Sequence, residues 1–234
     1  MSNLNMSLNI PTCLNIPDDF KGYDKDLFHY PERYRDIVDK ILVPHGLIRD
    51  RVYKIAANIE SHYLKADVKH VKLLCVLKGA YKFFGELNEC LSDLSSLRRE
   101  GEGHIGYSVQ FVRAKSYQND CSTGIIKISG EEYLENELKG HDVLIVEDII
   151  DTGATMVKLL ESLKKYNPNS IKVASLVRKR TVRSNCFRPD FVCFEVPDSF
   201  IIGYAFDFND FFRDIPHICT INQDNIGLYK DRHA

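Results

Sequence analysis

Three carboxylates lie close together directly after a short apolar run. Glu147, Asp148 and Asp151 follow Val143–Val146, whose β-branched residues predict a buried strand. At an effective dielectric near 20, two carboxylates about 5 Å apart repel by roughly 3 kcal/mol. Hydroxyl donors or a divalent cation would relieve that repulsion. The pattern therefore favours a site for a sugar phosphate with Mg²⁺ over a turn that serves only the fold.

The five residues Asp151–Thr155 (DTGAT) form the predicted turn between this strand and a helix. Gly153 lets the backbone approach a ligand closely, and Asp and Thr suit helix capping. Capping alone accounts for Thr152 and Gly153, but it does not account for the neighbouring acids. Successive backbone amides at a helix start can bind phosphate without a lysine side chain. The turn is therefore a predicted phosphate site.

Two other phosphate-binding patterns are rejected. The chain has no GxxxxGK[ST] sequence, which excludes a P-loop. Residues 101–106 (GEGHIG) match GxGxxG, but they follow a polar segment and lead into a predicted strand. A dinucleotide-binding fingerprint needs a strand before it and a helix after it, so we interpret this match as chance.

Apolar runs alternate with helical patterns along the chain, which is typical of an α/β fold with a mainly parallel sheet. Such sheets bind ligands at the carboxyl ends of their strands, where Glu147 and Asp148 are expected. The polar segment 115–124 (KSYQNDCSTG) lacks periodicity and predicts a loop that closes as a lid. The predicted strands are 71–77, 105–112, 143–146, 171–177 and 191–194, and the predicted helices are 80–97 and 155–166.

Composition narrows the class of protein. The 234 residues are 44% hydrophobic with a net charge of −2, so wholesale disorder and a global field for nucleic acid or an anionic membrane are both disfavoured. The seven cysteines form no CxxC pair, which favours reduced thiols in a cytoplasmic protein. The N-terminus does not resemble a secretory signal, and no apolar run is long enough for a membrane helix.

The segment VLIVEDIIDTGATM (143–156) resembles the phosphoribosyl-pyrophosphate motif of the type I phosphoribosyltransferases, and the wider pattern is closest to their hypoxanthine-guanine family. The likeness runs from Gly22 to Ile221 in family order. It implies the type I fold, in which helices flank a mainly parallel sheet. We expect one domain over residues 22–234, with a small hood from N-terminal residues and about 180–225, after a variable arm of residues 1–21. The supporting segments are LVPHGLI (42–48), LCVLKGAYKFF (74–84), FVRAKSY (111–117), NDCSTG (119–124), KRT (179–181) and DSFIIGYAFDFNDFFRD (198–214).

The resemblance also implies a role for each candidate residue. Asp151 would act as general base and acid at purine N7, and Lys179 would hydrogen-bond the 6-oxo group. Phe200 would stack on the base, and the Lys78–Gly79 loop would carry a non-proline cis peptide. The phosphoribosyl group would be bound by Glu147, Asp148, Asp151, Thr152, Gly153, Ala154 and Thr155. Pyrophosphate would be bound by Lys78, Gly79, Ser116, Tyr117 and Arg213, the purine by Lys179, Phe200, Ile201 and Asp207, and Mg²⁺ by Glu147, Asp148 and Asp207.

The chain departs from the family pattern at two positions. The usual DTGKT reads DTGAT here, so Ala154 removes a lysine beside the phosphate turn. The usual LKGG reads LKGA, with Ala80 as its last residue. Neither change removes a proposed catalytic group, so the affinity for the donor and the flexibility of the loop are the properties in question.

The implied reaction transfers 5-phosphoribosyl from phosphoribosyl pyrophosphate to a 6-oxopurine base, hypoxanthine or guanine, in a homodimer or homotetramer. No nucleic acid or membrane partner is expected. Two alternatives from other classes remain at this point. One is a non-catalytic regulator on the same fold that binds nucleotide or RNA. The other is a receiver-type module with Asp148 as the phosphoacceptor, which leaves the DTGAT turn unexplained.

Overall fold

The computed structural model describes residues 13–98, 103–116, 126–129, 131–222 and 224–229. These residues form a seven-stranded sheet, a four-stranded sheet and four α-helices. In chain order the elements are β1 (Leu14–Asn15), β2 (Tyr23–Asp24), β3 (Val38–Val43), α1 (His45–Lys65), β4 (His70–Leu77), α2 (Tyr81–Ser96), β5 (Gly106–Ser116), β6 (Ile126–Ser129), α3 (Glu131–Leu138), β7 (Asp142–Ile150), α4 (Ala154–Lys164), β8 (Ser170–Arg180), β9 (Phe191–Pro197), β10 (Ile201–Ile202) and β11 (Ile218–Ile221).

The large sheet has the order β1-β9-β8-β7-β4-β5-β6. All its neighbours are parallel except β5 and β6. From β4 the chain crosses to β5 on one side, whereas from β7 it crosses to β8 on the other. The strand order therefore reverses between β4 and β7. In open α/β sheets that point opens a crevice at the carboxyl ends of the strands.

Helices cover both faces of this sheet because its central strands are apolar on both faces. Leu73 and Cys75 of β4 belong to the same buried cluster as the apolar residues of α1 and α2. Leu74 and Val76 belong to a second cluster with residues of α3 and α4. Alternate strand residues point to opposite faces. The rigid core therefore fixes β4 and β7 next to the crevice.

The smaller sheet is antiparallel, in the order β10-β11-β3-β2. Its residues come from both ends of the chain, and Val43 of β3 lies opposite Ile218 of β11. A third buried cluster, which includes Tyr34, Phe212 and Tyr229, covers it. The segment after β10 reaches the crevice, where Asp207, Asp210 and Arg213 line a cavity. The hood expected from the family resemblance stays a prediction.

The predicted mainly parallel α/β fold is confirmed, and the seven predicted strands and helices are all present with shifted ends. Strand β5 continues through Ser116, so the first two residues of the predicted lid loop belong to a strand. Strand β7 continues through Ile150, past the predicted end at Val146. The described part of the predicted arm joins the large sheet, because β1 pairs with β9.

Two further features bear on the sequence analysis. Among the helices in the described ranges, none combines the length and apolar character that crossing a bilayer requires. Six of the seven cysteines lie in the described residues, and all six are free thiols: Cys13, Cys75, Cys90, Cys186, Cys193 and Cys219.

Candidate active site

The acid pair, Glu147 and Asp148, lies at the point where β7 separates from β4. Pairing of β7 with β4 ends at Val146, opposite Cys75. Pairing with β8 continues to Ile150, opposite Arg178. Glu147 and Asp148 are therefore still part of a strand, but one of its edges is open. The carboxylates lie inside the crevice that the reversal of strand order predicts.

Both carboxyl groups resist ionisation in the free protein. Burial raises the pKa of Glu147 well above its ordinary value of 4.5, and the neighbouring charge of Asp148 adds to the rise. Burial also raises the pKa of Asp148, although hydrogen bonds from Glu147 and from the amide of Ile149 act against it. Two adjacent acids with raised pKa values are typical of a functional site, where hydrogen-bond donors or a cation of the ligand stabilise the ionised carboxylates.

The phosphate turn, Asp151–Thr155, follows β7 and leads into α4 as predicted. Gly153 has a left-handed backbone with φ of 84°. A Cβ atom there would lie 2.3 Å from Oδ1 of Asn185, so only glycine fits. The amide of Asn185 donates to the carbonyl of Thr152 at 2.9 Å and braces the turn from outside. Ala154 is exposed at the first position of the helix, so the lysine usual in the family would extend into solvent.

A cavity of about 320 Å³ joins the acid pair to the phosphate turn. Its lining includes Glu147, Asp148, Asp151, Gly79 and most of the phosphate turn. At the start of α4, the backbone amide of Ala154 donates to the hydroxyl of Thr152 at 3.3 Å. The amides that follow it in the first turn have no carbonyl partner within the helix, so they are available to an anion. A sugar phosphate would thus meet amides at one end of this cavity and carboxylates at the other.

A second cavity of about 520 Å³ shares Leu77, Gly79 and Asp148 with the first, so the two adjoin, and together they are called the cleft. The peptide bond between Leu77 and Lys78 is cis, as the resemblance implied. A Cβ atom on Gly79 would lie 1.6 Å from Oδ2 of Asp148. The absence of a side chain at position 79 is therefore what allows this loop to approach the acid pair.

The second cavity is lined by an ionic clamp, consisting of Lys78, Arg213, Asp207 and Asp210. Nζ of Lys78 lies 3.1 Å from Oδ1 of Asp210, and Nη2 of Arg213 lies 2.9 Å from the same oxygen. Nη2 of Arg213 also contacts Oδ1 of Asp207 at 2.8 Å. Hydrogen bonds from Arg213 and Lys78 lower the pKa of Asp210 to about 2. The carboxylate of Asp210 thus contacts both of the cations proposed to bind pyrophosphate, Lys78 and Arg213.

Most of the proposed purine residues lie outside the lining of the two cavities. Lys179 lies near the end of β8, opposite Val196, and Ile201 is buried in β10. Phe200 is 41% exposed, and its ring meets that of Phe208 edge-on, with centroids 5.8 Å apart. As far as the described residues define the two cavities, Lys179, Phe200 and Ile201 line neither of them. Of the purine set, Asp207 alone lines the cleft.

The predicted lid is largely beyond what the structure describes. Ser116 is the last residue of β5, whereas Tyr117 and the segment up to Gly124 lie outside the described residues. Their proposed contacts with pyrophosphate therefore stay predictions.

Three residues around the cleft had no role in the sequence analysis. Arg113 lines the second cavity beside the ionic clamp, Asp210 bridges the two cations, and Asn185 braces the phosphate turn. A signal existed only for Arg113, because a cation at the carboxyl end of a predicted strand faces the ligand side of a parallel sheet. Asp210 and Asn185 act through contacts between distant segments, which no local pattern reveals.

Comparison with known proteins agrees with this geometry. Residues 42–209 match the phosphoribosyl transferase domain. The hypoxanthine-guanine phosphoribosyltransferase of Canis lupus familiaris is 48% identical over 92% of this chain and 95% of its own. The Homo sapiens enzyme of the same name is 47% identical with the same coverage. A crystal structure of the Schistosoma mansoni enzyme in complex with IMP superimposes with a TM-score of 0.76 at 39% identity, covering 91% of this chain and 96% of that one.

These relatives bear the names of enzymes, and nothing in them favours a non-catalytic regulator or a receiver module. The matched domain includes β4, the acid pair and the phosphate turn. The likeness covers more than nine-tenths of the chain. The chain therefore belongs to the hypoxanthine-guanine phosphoribosyltransferase family, within the type I phosphoribosyltransferases.

Proposed function

We propose that the cleft between β4 and β7 transfers the 5-phosphoribosyl group of phosphoribosyl pyrophosphate to hypoxanthine or guanine, giving IMP or GMP and pyrophosphate. The chain is a phosphoribosyltransferase of purine salvage. The observation that carries the assignment is a pair of adjoining cavities with the phosphate turn, the acid pair and the ionic clamp in series along their lining. A donor with a terminal phosphate, a diol and a pyrophosphate presents the complementary groups in the same order.

Each part of the cleft has a role in holding the donor. Amides of the phosphate turn bind the 5′-phosphate, because an anion at a helix start is stabilised by free N–H groups. Glu147 and Asp148 accept hydrogen bonds from the ribose hydroxyls. Lys78 and Arg213 bind the pyrophosphate and stabilise its charge as it leaves ribose C1.

Asp151 is the proposed catalytic residue. As a purine nitrogen attacks ribose C1, the proton on N7 becomes acidic, and a carboxylate within reach accepts it. Positive charge builds on the ribose ring as pyrophosphate departs, by analogy with glycoside cleavage. Water would intercept such a species, so closure of the predicted lid over the cleft would protect it.

The donor atoms of the cleft fit Mg²⁺. Within the described residues, no group of three or more His, Cys, Asp or Glu side chains is arranged to hold a metal ion. Mg²⁺ commonly binds through one or two carboxylates together with substrate phosphates and water, and Glu147 and Asp148 supply such a pair. Both oxygens of Asp207 already accept contacts, from Arg213 and from the amide of Asp210, so its proposed part requires the clamp to open. When bound, Mg²⁺ would neutralise the pyrophosphate leaving group.

Steady-state kinetics with phosphoribosyl pyrophosphate, Mg²⁺ and each of hypoxanthine, guanine and xanthine test the proposed function. We expect IMP and GMP to form at rates that saturate in both substrates. A chain that binds the donor but forms no nucleotide with any of the three bases would contradict the proposal.

The proposed role of Lys179 predicts a change in base selectivity. Lys179→Ala should raise KM for hypoxanthine and guanine, because the 6-oxo group loses its hydrogen-bond donor, and it should allow use of adenine. Arg188→Gln is the control, since Arg188 is an exposed cation in the segment that follows. Unchanged KM values in Lys179→Ala would reject the contact.

Assembly into a homodimer or homotetramer is also part of the proposal. Phe111 on β5 is 53% exposed, with its ring beside that of Phe84 in α2, and it offers apolar surface that a second subunit could cover. Light scattering coupled to gel filtration decides the number of subunits, and a monomer would contradict this part of the proposal. A cytoplasmic location stays a prediction from the cysteine pattern.

A further inference from the structure

A cation outside the proposed set of site residues faces the proposed catalytic carboxylate. Nη2 of Arg183 lies 3.9 Å from Oδ1 of Asp151 and 3.8 Å from Oδ1 of Asp198. Asp151 belongs to the phosphate turn, whereas Asp198 lies just after β9 and shortly before Phe200. One guanidinium therefore connects the phosphoribosyl side of the site with the segment proposed to bind the purine.

The segment that carries Arg183 is docked on the phosphate turn. The backbone amide of Asn185 donates to the carbonyl of Thr152 at 2.9 Å, and the side chain of Asn185 packs against Gly153. Within the segment, the amide and the Nε group of Arg183 both donate to the hydroxyl of Thr181, at 3.3 and 3.4 Å. The backbone of Arg183 is thus held beside the phosphate turn, and its largely exposed side chain reaches Asp151 from there.

The two oxygens of Asp151 have different surroundings. Oδ1, the oxygen that faces Arg183, is shielded from solvent and has no hydrogen-bond partner among the described residues. The Asp151 side chain as a whole is 42% exposed, so its exposure lies on its other atoms. Oδ2 is therefore the oxygen left accessible to a substrate, while Oδ1 is held on the side of Arg183.

We propose that Arg183 is a positioning residue for the transfer reaction: it holds Oδ1 of Asp151 so that Oδ2 is directed to the purine proton. This inference rests on the proposed function of Asp151. At 3.8–3.9 Å the contacts are charge interactions and not short hydrogen bonds. A lysine should therefore serve nearly as well as an arginine, unlike at sites that need a bidentate fork.

Single-turnover formation of IMP, with the enzyme in excess over hypoxanthine and with saturating donor and Mg²⁺, tests this role, because it measures chemistry before product release. Arg183→Gln should slow the step by about 10- to 100-fold, the range in which a misplaced group costs rate. KM for the donor should change by less than about twofold, because phosphate binding relies on amides. Arg183→Lys should recover most of the rate. Arg188→Gln, which removes one exposed charge nearby, should match the unmodified chain.

Asp198→Asn is a second test that leaves Arg183 in place. It removes the competing carboxylate, so its single-turnover rate should equal or exceed that of the unmodified chain, and thermal unfolding shows whether each variant folds. Three results would each overturn the inference: an unchanged rate in Arg183→Gln, a raised donor KM at unchanged rate, or a lysine variant as slow as the glutamine variant. If the unmodified chain formed no IMP, the proposed function would fail instead.

Discussion

The two halves of the cleft are built in different ways. The phosphate turn is one contiguous segment. The left-handed backbone of Gly153 sets its shape, and the start of α4 supplies its amides. The ionic clamp joins segments more than 130 residues apart, and its cations are neutralised by Asp210 of the same chain. One half is ready for its anion before the donor arrives. The other must exchange an internal carboxylate for the ligand.

This difference explains what each half can contribute. Backbone amides in a fixed turn bind a phosphate without reorganising, which favours precise placement of ribose C1. Side-chain cations that already hold a carboxylate gain little from a second anion in the ground state. They gain more when charge develops on the leaving pyrophosphate, which is the condition for catalysis.

We expect the largest effect, a loss of kcat, from a change to Asp151 in the phosphate turn. Asp151→Asn keeps the shape of the turn but cannot accept a proton, so kcat should fall by about 10²- to 10⁴-fold, the usual contribution of a general base. The dissociation constant of the donor should change far less. Calorimetric titration of the donor and steady-state kinetics separate the two quantities, and an unchanged kcat would reject the acid/base role.

The next largest effect targets the contact between the two halves. Gly79→Ala places a methyl group where Oδ2 of Asp148 now lies, 1.6 Å from the new Cβ, so the loop or the acid pair must move. We expect kcat/KM for the donor to fall by roughly 100-fold, as for a displacement of about 1 Å in a catalytic group.

Gly85→Ala in α2 is the matched control for that prediction. A Cβ atom at Gly85 meets nothing within 4 Å, so activity should be unchanged. The unfolding free energy should rise by about 0.5–1 kcal/mol, because alanine replaces glycine inside a helix. Equal kcat/KM values in the two variants would show that the close approach of Gly79 to Asp148 has no bearing on catalysis.

A smaller effect, on KM for the donor, is expected from a change in the ionic clamp. Asp210→Asn removes the charge that Lys78 and Arg213 share, which frees Lys78 while Asp207 still contacts Arg213. KM for the donor should therefore fall by about two- to fivefold, a change typical of exposed ion pairs. Salt should reduce the difference between variant and unmodified chain, since exposed charges are screened. A rise in KM would mean that Asp210 supports the clamp and does not compete with the ligand.

The smallest effect concerns the stability of the free protein. Between the ordinary pKa of 4.5 and its raised folded value, Glu147 binds more protons in the folded chain than in the unfolded one. Stability therefore falls as pH rises through that window. Glu147→Gln should raise Tm at neutral pH, by roughly 2–4 °C per kcal/mol of relieved penalty, and this gain should vanish below pH 4.5. Thermal unfolding across pH measures it, and a lower Tm at neutral pH would contradict the expected penalty.

Sequence reasoning succeeded where the signal is local. The apolar run of β7, the acids after it and the turn into α4 are contiguous, so periodicity and residue type were sufficient to place them. Helix α1 was missed although Ile48, Val52, Ile55 and Ile59 recur at helical spacing and are all buried. The helical period was therefore present in the sequence of α1.

The rest could not be read from local patterns. Strands β2 and β10 have two residues each, too few to show a period, and they exist because β3 and β11 bind them. The contact between Lys78 and Asp210, and the docking of Asn185 on Thr152, arise only once the core has folded. The parts of the site that depend on such packing required a structure.

A crystal structure with phosphoribosyl pyrophosphate and Mg²⁺ would show directly whether the phosphate turn binds the donor. We expect the 5′-phosphate within hydrogen-bonding distance of the amides of residues 152–155, the ribose hydroxyls on Glu147 and Asp148, and Asp210 displaced from Lys78. A 5′-phosphate bound elsewhere, with the phosphate turn empty, would contradict that expectation.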